Sequence, residues 1–151
     1  MSEKAFLSWD EIHSAARVIY ESLRETFAPT AILAVTRGGL IPAALFAYFF
    51  DVKKISVVGM ERLGTEDGGR YIHRLNDFPS YSEEEQETLL IVDDVADTGI
   101  TAEVVRQFYP KAKIVTLSAK PAGRDKVDRY SILVPQNTWI VFPWAVSSDP
   151  D

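Results

Sequence analysis

Two stretches of the chain share the same order: a short apolar run, a polar turn and a helix-like segment. In the first, AILAV at 31–35 is followed by TRGG and then by LIPAALFAYFF at 40–50. In the second, TLLIV at 88–92 is followed by DDVADTG and by a helical pattern from Thr101 to Tyr109. Apolar runs of this length between turn signals are typical of buried strands. Strands that alternate with helices predict an α/β fold with a mainly parallel central sheet flanked by helices.

The rest of the pattern adds one helix and three strands. Ser8 and Glu11 have the spacing of a capping box, and apolar residues then recur every three or four positions, which predicts an amphipathic helix over 9–27. The three further strands are predicted at 55–60, 113–119 and 130–135. In such sheets, ligands gather at the carboxyl ends of the strands. The motifs TRGG, DDVADTG and AKPAGR each begin where a predicted strand ends, so we expect them to form one site.

The segment 59–87 is polar, contains several glycines and shows little sustained periodicity. Long segments of this kind are usually functional lids or disordered. We therefore expect a mobile active-site loop at 59–87 within a single domain that spans residues 1–151.

Composition excludes several classes of protein. The chain has 151 residues, 46% hydrophobic residues, no cysteine and a net charge of −6. No apolar run approaches the roughly 20 residues of a membrane span, and the absence of cysteine excludes disulfides and thiolate metal sites. An acidic chain is poorly suited to nucleic acid, and the N-terminal sequence does not resemble an export signal. We expect a soluble, cytoplasmic protein whose phosphorylated partner is small.

The segment IVDDVADTGIT carries the clearest chemistry. Thr98, Gly99 and Thr101 open a helix, where free N–H groups, hydroxyls and the helix dipole favour a phosphate. Asp93 and Asp94 offer carboxylate oxygens, which suit ribose hydroxyls and Mg²⁺. A solvated turn with a helix cap is the alternative interpretation, since Asp and Thr are common at helix starts. The acids here follow a fully apolar strand and precede a phosphate-type turn, which favours the functional interpretation.

Several segments together resemble bacterial xanthine-guanine phosphoribosyltransferases of the type I purine phosphoribosyltransferase family. IVDDVADTGIT is similar to their 5-phosphoribosyl-diphosphate (PRPP) motif, and the similarity extends in order and spacing to four more segments: TRGGLIP at 36–42, YPKA at 109–112, AKPAGR at 119–124 and PQNTWIVFPW at 135–144. The resemblance runs from about Ser2 to Trp144. It implies a type I phosphoribosyltransferase fold with a small C-terminal base-binding hood at 121–151.

The resemblance also implies a role for each matched position. Arg37 and Gly38 would hold the pyrophosphate of PRPP, and Arg70 would be the loop arginine near PRPP, with Arg74 as a competitor. Asp94 would be the Mg²⁺ ligand beside Asp93. The rest of the PRPP segment comprises Val95, Ala96, Asp97, Thr98, Gly99, Ile100 and Thr101.

The base would meet a second group of residues. Asp97 would lie beside N7 of the purine, where a carboxylate can accept a proton as a general base. Lys120 would donate to the 6-oxo group, because an ammonium selects an acceptor over an amine. Trp139 would cover the base, and the main chain of Ile140 would meet its 2-substituent.

The sequence also departs from these relatives. Ile100 stands where they have glycine, and Met60 and Glu61 stand where they have a Ser-Tyr pair. Val141 and Ala145 replace acids near the base pocket, and the tail after Trp144 is different. These changes leave the choice among guanine, xanthine and hypoxanthine open.

The sequence thus predicts transfer of the phosphoribosyl group from Mg²⁺-PRPP to a 6-oxopurine by a homodimer or homotetramer, and peripheral contact with a membrane is compatible with the resemblance. A signalling receiver module also pairs acids with a Lys-Pro, but too few positions separate Asp93 from Lys120 for its intervening strands. Two alternatives stay open: a regulatory PRPP- or nucleotide-binding protein of the same fold, and an enzyme for another base.

Overall fold

A six-stranded sheet with the strand order β4-β3-β2-β5-β6-β7 forms the centre of the molecule in the computed structural model, which describes residues 3–149. Its strands are β2 (Ala31–Thr36), β3 (Ile55–Gly64), β4 (Arg70–Arg74), β5 (Leu89–Ala96), β6 (Lys113–Ala119) and β7 (Ile132–Leu133). Every neighbouring pair is parallel except β3 and β4. The predicted α/β class with a mainly parallel sheet is confirmed.

Helices cover both faces of this sheet. They are α1 (Trp9–Leu23), α2 (Leu40–Phe49), α3 (Glu83–Gln86) and α4 (Ile100–Phe108). Side chains alternate along a strand, so Ile32 and Ala34 join the buried cluster under α1 and α2, whereas Leu33 and Val35 join the cluster under α4. Burial on both faces explains why residues 31–35 of β2 and 89–92 of β5 are apolar throughout. The longest helix, α1, has 15 residues, and no helix within residues 3–149 is both long and apolar enough to span a bilayer.

Helix α1 begins as predicted and ends early. The Ser8 hydroxyl accepts from the Glu11 N–H at 3.1 Å, and the Glu11 carboxylate accepts from the Ser8 N–H at 3.3 Å, which completes the capping box. The helix was expected to reach Phe27 but ends at Leu23. Residues 24–26 form a tighter turn, in which the Thr26 N–H donates to the Leu23 carbonyl three residues before it. Phe27 remains buried, so the apolar period continued past the end of the helix.

The segment 59–87 contains more structure than expected. Strand β3 runs past Met60 to Gly64 and pairs with β4 in an antiparallel hairpin, and α3 follows. The turn contains Asp67 and Gly68, and Gly68 has φ +86°, a conformation that favours glycine. Both faces of this hairpin are largely exposed, so its side chains show no apolar alternation. The hairpin and α3 were not predicted within 59–87, and the mobility of this segment stays a prediction.

The two ends of the chain meet in a small sheet. Strand β1 (Glu3–Phe6) pairs in parallel with β8 (Thr138–Val141), with Lys4 opposite Trp139 and Ala5 opposite Ile140. Neither strand was predicted. Within the range 121–151, β8 thus pairs with β1, whereas β7 belongs to the main sheet, and the base-binding hood itself stays a prediction. A short 3-10 helix, Arg124–Lys126, lies between β6 and β7.

Candidate active site

The three polar motifs follow strands β2, β5 and β6, which are adjacent in the sheet. TRGG begins at the last residue of β2, Asp97 directly follows β5, and Lys120 directly follows β6. Because the strands are parallel, all three motifs lie at the same edge of the sheet. The expected grouping of these motifs is what the structure shows.

Asp93 and Asp94 lie inside β5, not after it as expected. Each Oδ1 accepts from the next main-chain N–H in the strand, at 2.8 Å for Asp93 and 2.7 Å for Asp94. The Asp94 carboxylate lies directly against Gly38 in the turn after β2. A methyl group at Gly38 would overlap both carboxylate oxygens and Cγ of Asp94. Gly38 is therefore the position that allows the TRGG turn and the acid pair to approach each other.

The two carboxylates are electrostatically strained. Burial raises the pKa of Asp93 well above its ordinary value, and the neighbouring Asp94 carboxylate raises it further. Burial also raises the pKa of Asp94, and hydrogen bonds to its charged form oppose that rise. A raised carboxyl pKa means that the negative charge lacks sufficient compensation. A cation or a ligand hydroxyl at this position would supply it.

The turn after β5 leads straight into α4. Gly99 is the N-cap of α4 with φ +85°, and a side chain there would overlap Lys126. Gly99 has no side chain to cap this helix terminus, and the Ile100 N–H has the Thr98 hydroxyl as its acceptor at a long 3.5 Å, so the first N–H groups of α4 are available to a ligand. Thr98, Gly99, Ile100 and Thr101 therefore have the arrangement expected of an anion-binding turn.

Asp97 and Lys120 form a partly enclosed ion pair. The Lys120 ammonium donates to Asp97 Oδ2 at 3.1 Å, and the side chains are 6% and 23% exposed. The Lys120 N–H also donates to the Ala96 carbonyl at 2.9 Å, which joins the ends of β5 and β6. Gly123 packs so closely that a side chain there would overlap the main-chain carbonyls of Ala96 and Asp97. The two residues predicted to meet the base are in direct contact.

Gln136 also belongs to this group, and sequence reasoning missed it. Its amide nitrogen donates to Asp97 Oδ1 at 2.8 Å and to the Asp97 carbonyl at 3.2 Å. Its amide oxygen accepts from the Ala122 N–H at 2.8 Å. The only sequence cue was a glutamine two residues before Thr138, in the quoted PQNTW segment, which has no distinctive spacing.

Trp139 and Ile140 lie on β8 with opposite orientations. The Ile140 side chain is buried in the core, whereas that of Trp139 is half-buried. Neighbouring residues of a strand face opposite sides, so Trp139 points away from the core cluster that holds Ile140. The loop before β8 reaches Asp97 through Gln136, which connects the predicted hood to the site.

The three arginines predicted to be near PRPP are all exposed, and one of them packs against aromatic rings. Arg37 is exposed in the turn after β2, and the Thr36–Arg37 peptide is cis. Arg70 is exposed at the start of β4, whereas Arg74 lies over the rings of Phe78 and Phe108, with its guanidinium 5.9 and 5.8 Å from their centroids.

Arg62, on β3, is a second residue that the sequence analysis missed. It lines a cavity with Asp93, Asp97, Gly99 and Thr101. Its charge also lowers the pKa of Asp93. Arg62 lies in a polar stretch of the sequence, and no local pattern there distinguishes it from the other arginines.

Comparison with known proteins agrees with this geometry. A family model described as "Phosphoribosyl transferase domain" matches residues 8–151. A purine phosphoribosyltransferase from Pyrococcus horikoshii is 33% identical, with 93% of each chain covered and a TM-score of 0.79. The chain therefore belongs to the phosphoribosyltransferase family, and within it to the purine phosphoribosyltransferases.

Two further structures share the fold at lower identity. A xanthine-guanine-hypoxanthine phosphoribosyltransferase from Helicobacter pylori is 20% identical, with 95% of each chain covered and a TM-score of 0.76. A protein from Neisseria gonorrhoeae with bound ppGpp is 22% identical, with 98% of this chain and 93% of that chain covered and a TM-score of 0.81. The expected type I phosphoribosyltransferase fold is confirmed.

Proposed function

We propose that the protein transfers the 5-phosphoribosyl group of PRPP to a 6-oxopurine, namely guanine, xanthine or hypoxanthine. The observation that carries this proposal is the contact between Lys120 and Asp97 at the ends of two adjacent strands. It places a cation and a carboxylate side by side, as the 6-oxo group and the N7 edge of a purine require. An ammonium has only donors, so it favours a 6-oxo group over the 6-amino group of adenine.

The PRPP half of the proposed site uses the turn after β2 and the segment 93–101. Thr98, Gly99, Ile100 and Thr101 would receive the 5′-phosphate at the start of α4. Arg37 would hold the pyrophosphate, for which a guanidinium is well suited because it binds phosphate oxygens bidentately. Arg62 would approach the same ligand from β3, since it shares a cavity with Thr101.

Mg²⁺ fits the donor set of this site. No group of three or more potential ligands among His, Cys, Asp and Glu occurs in the part of the chain that the structure describes, so the protein alone does not enclose a metal. Mg²⁺ is commonly bound by one or two carboxylates together with substrate phosphates. Asp94 would hold the Mg²⁺ ion, with Asp93 beside it. The pKa of both carboxyls is raised, which indicates that a bound cation would stabilise their charged forms. When bound, Mg²⁺ supplies positive charge to the departing pyrophosphate.

The reaction forms a bond between a purine nitrogen and C1 of the ribose and breaks the bond from C1 to the pyrophosphate oxygen. The ribose gains positive charge and the leaving group gains negative charge, which Arg37 would stabilise. The attacking purine must lose a proton, and Asp97 would accept it as general base. The segment 59–87 would close over the site and exclude water, which protects PRPP from hydrolysis.

Parallel turnover measurements with four bases test the proposal. Purified protein with Mg²⁺ and PRPP should form the nucleotides of guanine, xanthine or hypoxanthine and leave adenine largely unused. Asp97→Asn should lower kcat far more than it weakens PRPP binding, since PRPP contacts other residues. No nucleotide from any 6-oxopurine would refute the proposal and favour a regulatory protein of the same fold. Equal losses of turnover and PRPP binding in Asp97→Asn would make Asp97 a binding residue only.

The homodimer or homotetramer, the cytoplasmic location and any peripheral membrane contact remain predictions.

A further inference from the structure

The side chain of Gln136 connects three separate segments at the site. It contacts Asp97, which follows β5, and Ala122, which lies in the turn after β6. Gln136 itself belongs to the loop before β8. Its orientation is determined by its partners, because the Ala122 N–H can only donate and must face the amide oxygen. The amide nitrogen is thereby directed at Asp97, where it reaches both Oδ1 and the main-chain carbonyl.

This orientation makes the two oxygens of Asp97 different. Oδ1 is occupied by the Gln136 amide at 2.8 Å, and Oδ2 is met by the Lys120 ammonium at 3.1 Å. An ammonium has three donors, so Lys120 can contact Oδ2 and a purine oxygen together. An uncharged amide at Oδ1 holds the carboxylate in place and adds no charge.

We propose that Gln136 is a positioning residue that fixes Asp97 through Oδ1 and so directs Oδ2 toward the N7 proton of the purine. This inference rests on the proposed function, in which Asp97 meets N7. Gln136 itself touches neither the base nor PRPP in this scheme. A glutamine that only braced the turn at Ala122 would leave the orientation of Asp97 unchanged, and that difference can be measured.

Two purine analogues report on Asp97 without any transfer reaction. 9-Deazahypoxanthine carries an N–H at position 7, whereas 7-deazahypoxanthine carries a C–H there. Dissociation constants are measured by calorimetry with Mg²⁺ and pyrophosphate present. A hydrogen bond to a charged group should make the wild-type protein prefer the 9-deaza compound by roughly tenfold or more.

The variants separate the two contacts of Gln136. Gln136→Glu keeps an acceptor for the Ala122 N–H but presents a second carboxylate to Asp97, and Gln136→Leu removes both contacts. Both variants should reduce the preference between the analogues to within about threefold, since a misdirected Oδ2 loses most of a hydrogen bond. Asn137→Leu is the matched control, because Asn137 is exposed and makes no side-chain hydrogen bond within residues 3–149. It should keep the wild-type preference.

Each result decides between the possibilities. A full preference in Gln136→Glu would overturn the inference and leave Gln136 as a brace for the Ala122 turn. A wild-type protein without any preference would also overturn it, because Oδ2 would then not accept from position 7. The proposed function fails separately, in the turnover assay, if no nucleotide is formed. Thermal unfolding identifies any variant that is not folded, and Gln136→Asn, which is too short to span both partners, then replaces it.

Discussion

Gly38→Ala is the sharpest test of the acid pair, because it adds one methyl group directly against Asp94. The new Cβ would stand 2.5 Å from Asp94 Cγ, whereas carbon atoms pack at roughly 3.5–4.0 Å. The carboxylate must therefore retreat by about 1 Å or rotate away. Rotation is available because Asp94 is a short side chain, and it breaks the bond from the Val95 N–H to Oδ1.

The displacement should affect the reaction more than the fold. A misplacement of about 1 Å in a catalytic group can reduce the rate on the order of 100-fold, which corresponds to about 2.7 kcal/mol. The lost hydrogen bond lowers the free energy of unfolding by roughly 1.5–3 kcal/mol. Replacing glycine by alanine raises it by about 0.4–1 kcal/mol, because the unfolded chain then has less conformational entropy. We therefore expect a folded protein with a large decrease in kcat/KM for PRPP.

Gly39→Ala is the matched control. Its Cβ would overlap the main-chain carbonyls of Val92 and Val35, which no side-chain rotation can relieve. We expect it to lower the free energy of unfolding by about 3 kcal/mol or more. Urea unfolding and steady-state kinetics on both variants separate the two effects. Wild-type kcat/KM for PRPP in Gly38→Ala would refute the role assigned to the contact between Gly38 and Asp94.

Three further predictions concern β3, the segment 59–87 and the end of α4. Arg62→Ala should raise the KM for PRPP and leave the free energy of unfolding nearly unchanged. Arg74→Ala should instead lower the free energy of unfolding by about 0.5–1 kcal/mol, because it removes the aromatic contacts of Arg74. The reverse pattern would contradict this assignment. Mg²⁺ and PRPP together should protect 59–87 from protease, and unchanged cleavage would argue against closure. Burial raises the pKa of Tyr109 to about 12, above the value of about 10 in the unfolded chain, so the unfolded chain loses this proton first. The free energy of unfolding of the wild-type protein should therefore fall by roughly 2 kcal/mol between pH 10 and 12. Tyr109→Phe should lack that component in urea unfolding, and an identical pH dependence would refute it.

The central sheet could be predicted because its signal is local. Residues 31–35 of β2 and 89–92 of β5 are apolar on both faces, and each run is followed at once by polar residues. The capping box at Ser8 likewise depends on residues three positions apart. The β3–β4 hairpin was missed because both of its faces are largely exposed, which leaves only the Asp67-Gly68 turn as a signal.

Prediction of the site was limited in the same way. Gly38, Asp94 and Gly99 lie in motifs whose glycines and acids have a local physical reason, so these positions could be proposed from the sequence. The sequence did not reveal that Asp94 lies inside β5, because an acid near the end of a strand can lie either within the strand or after it. Arg62 and Gln136 act across the fold on residues far away in the chain, and no local pattern records those contacts.

The residues proposed to bind the base are held in place by contacts between distant parts of the chain. Trp139 and Ile140 are held by β8, which has β1, at the opposite end of the chain, as its only strand partner within residues 3–149. The ion pair of Asp97 and Lys120 joins two strands, and Gln136 joins that pair to the hood. A change of purine preference can therefore arise from residues that do not touch the purine, such as those that set the position of β8. The residues proposed to bind PRPP lie in the turn after β2, in the segment 93–101 and on β3, which are all outside the hood predicted at 121–151. For this reason we expect PRPP binding to tolerate changes in the hood.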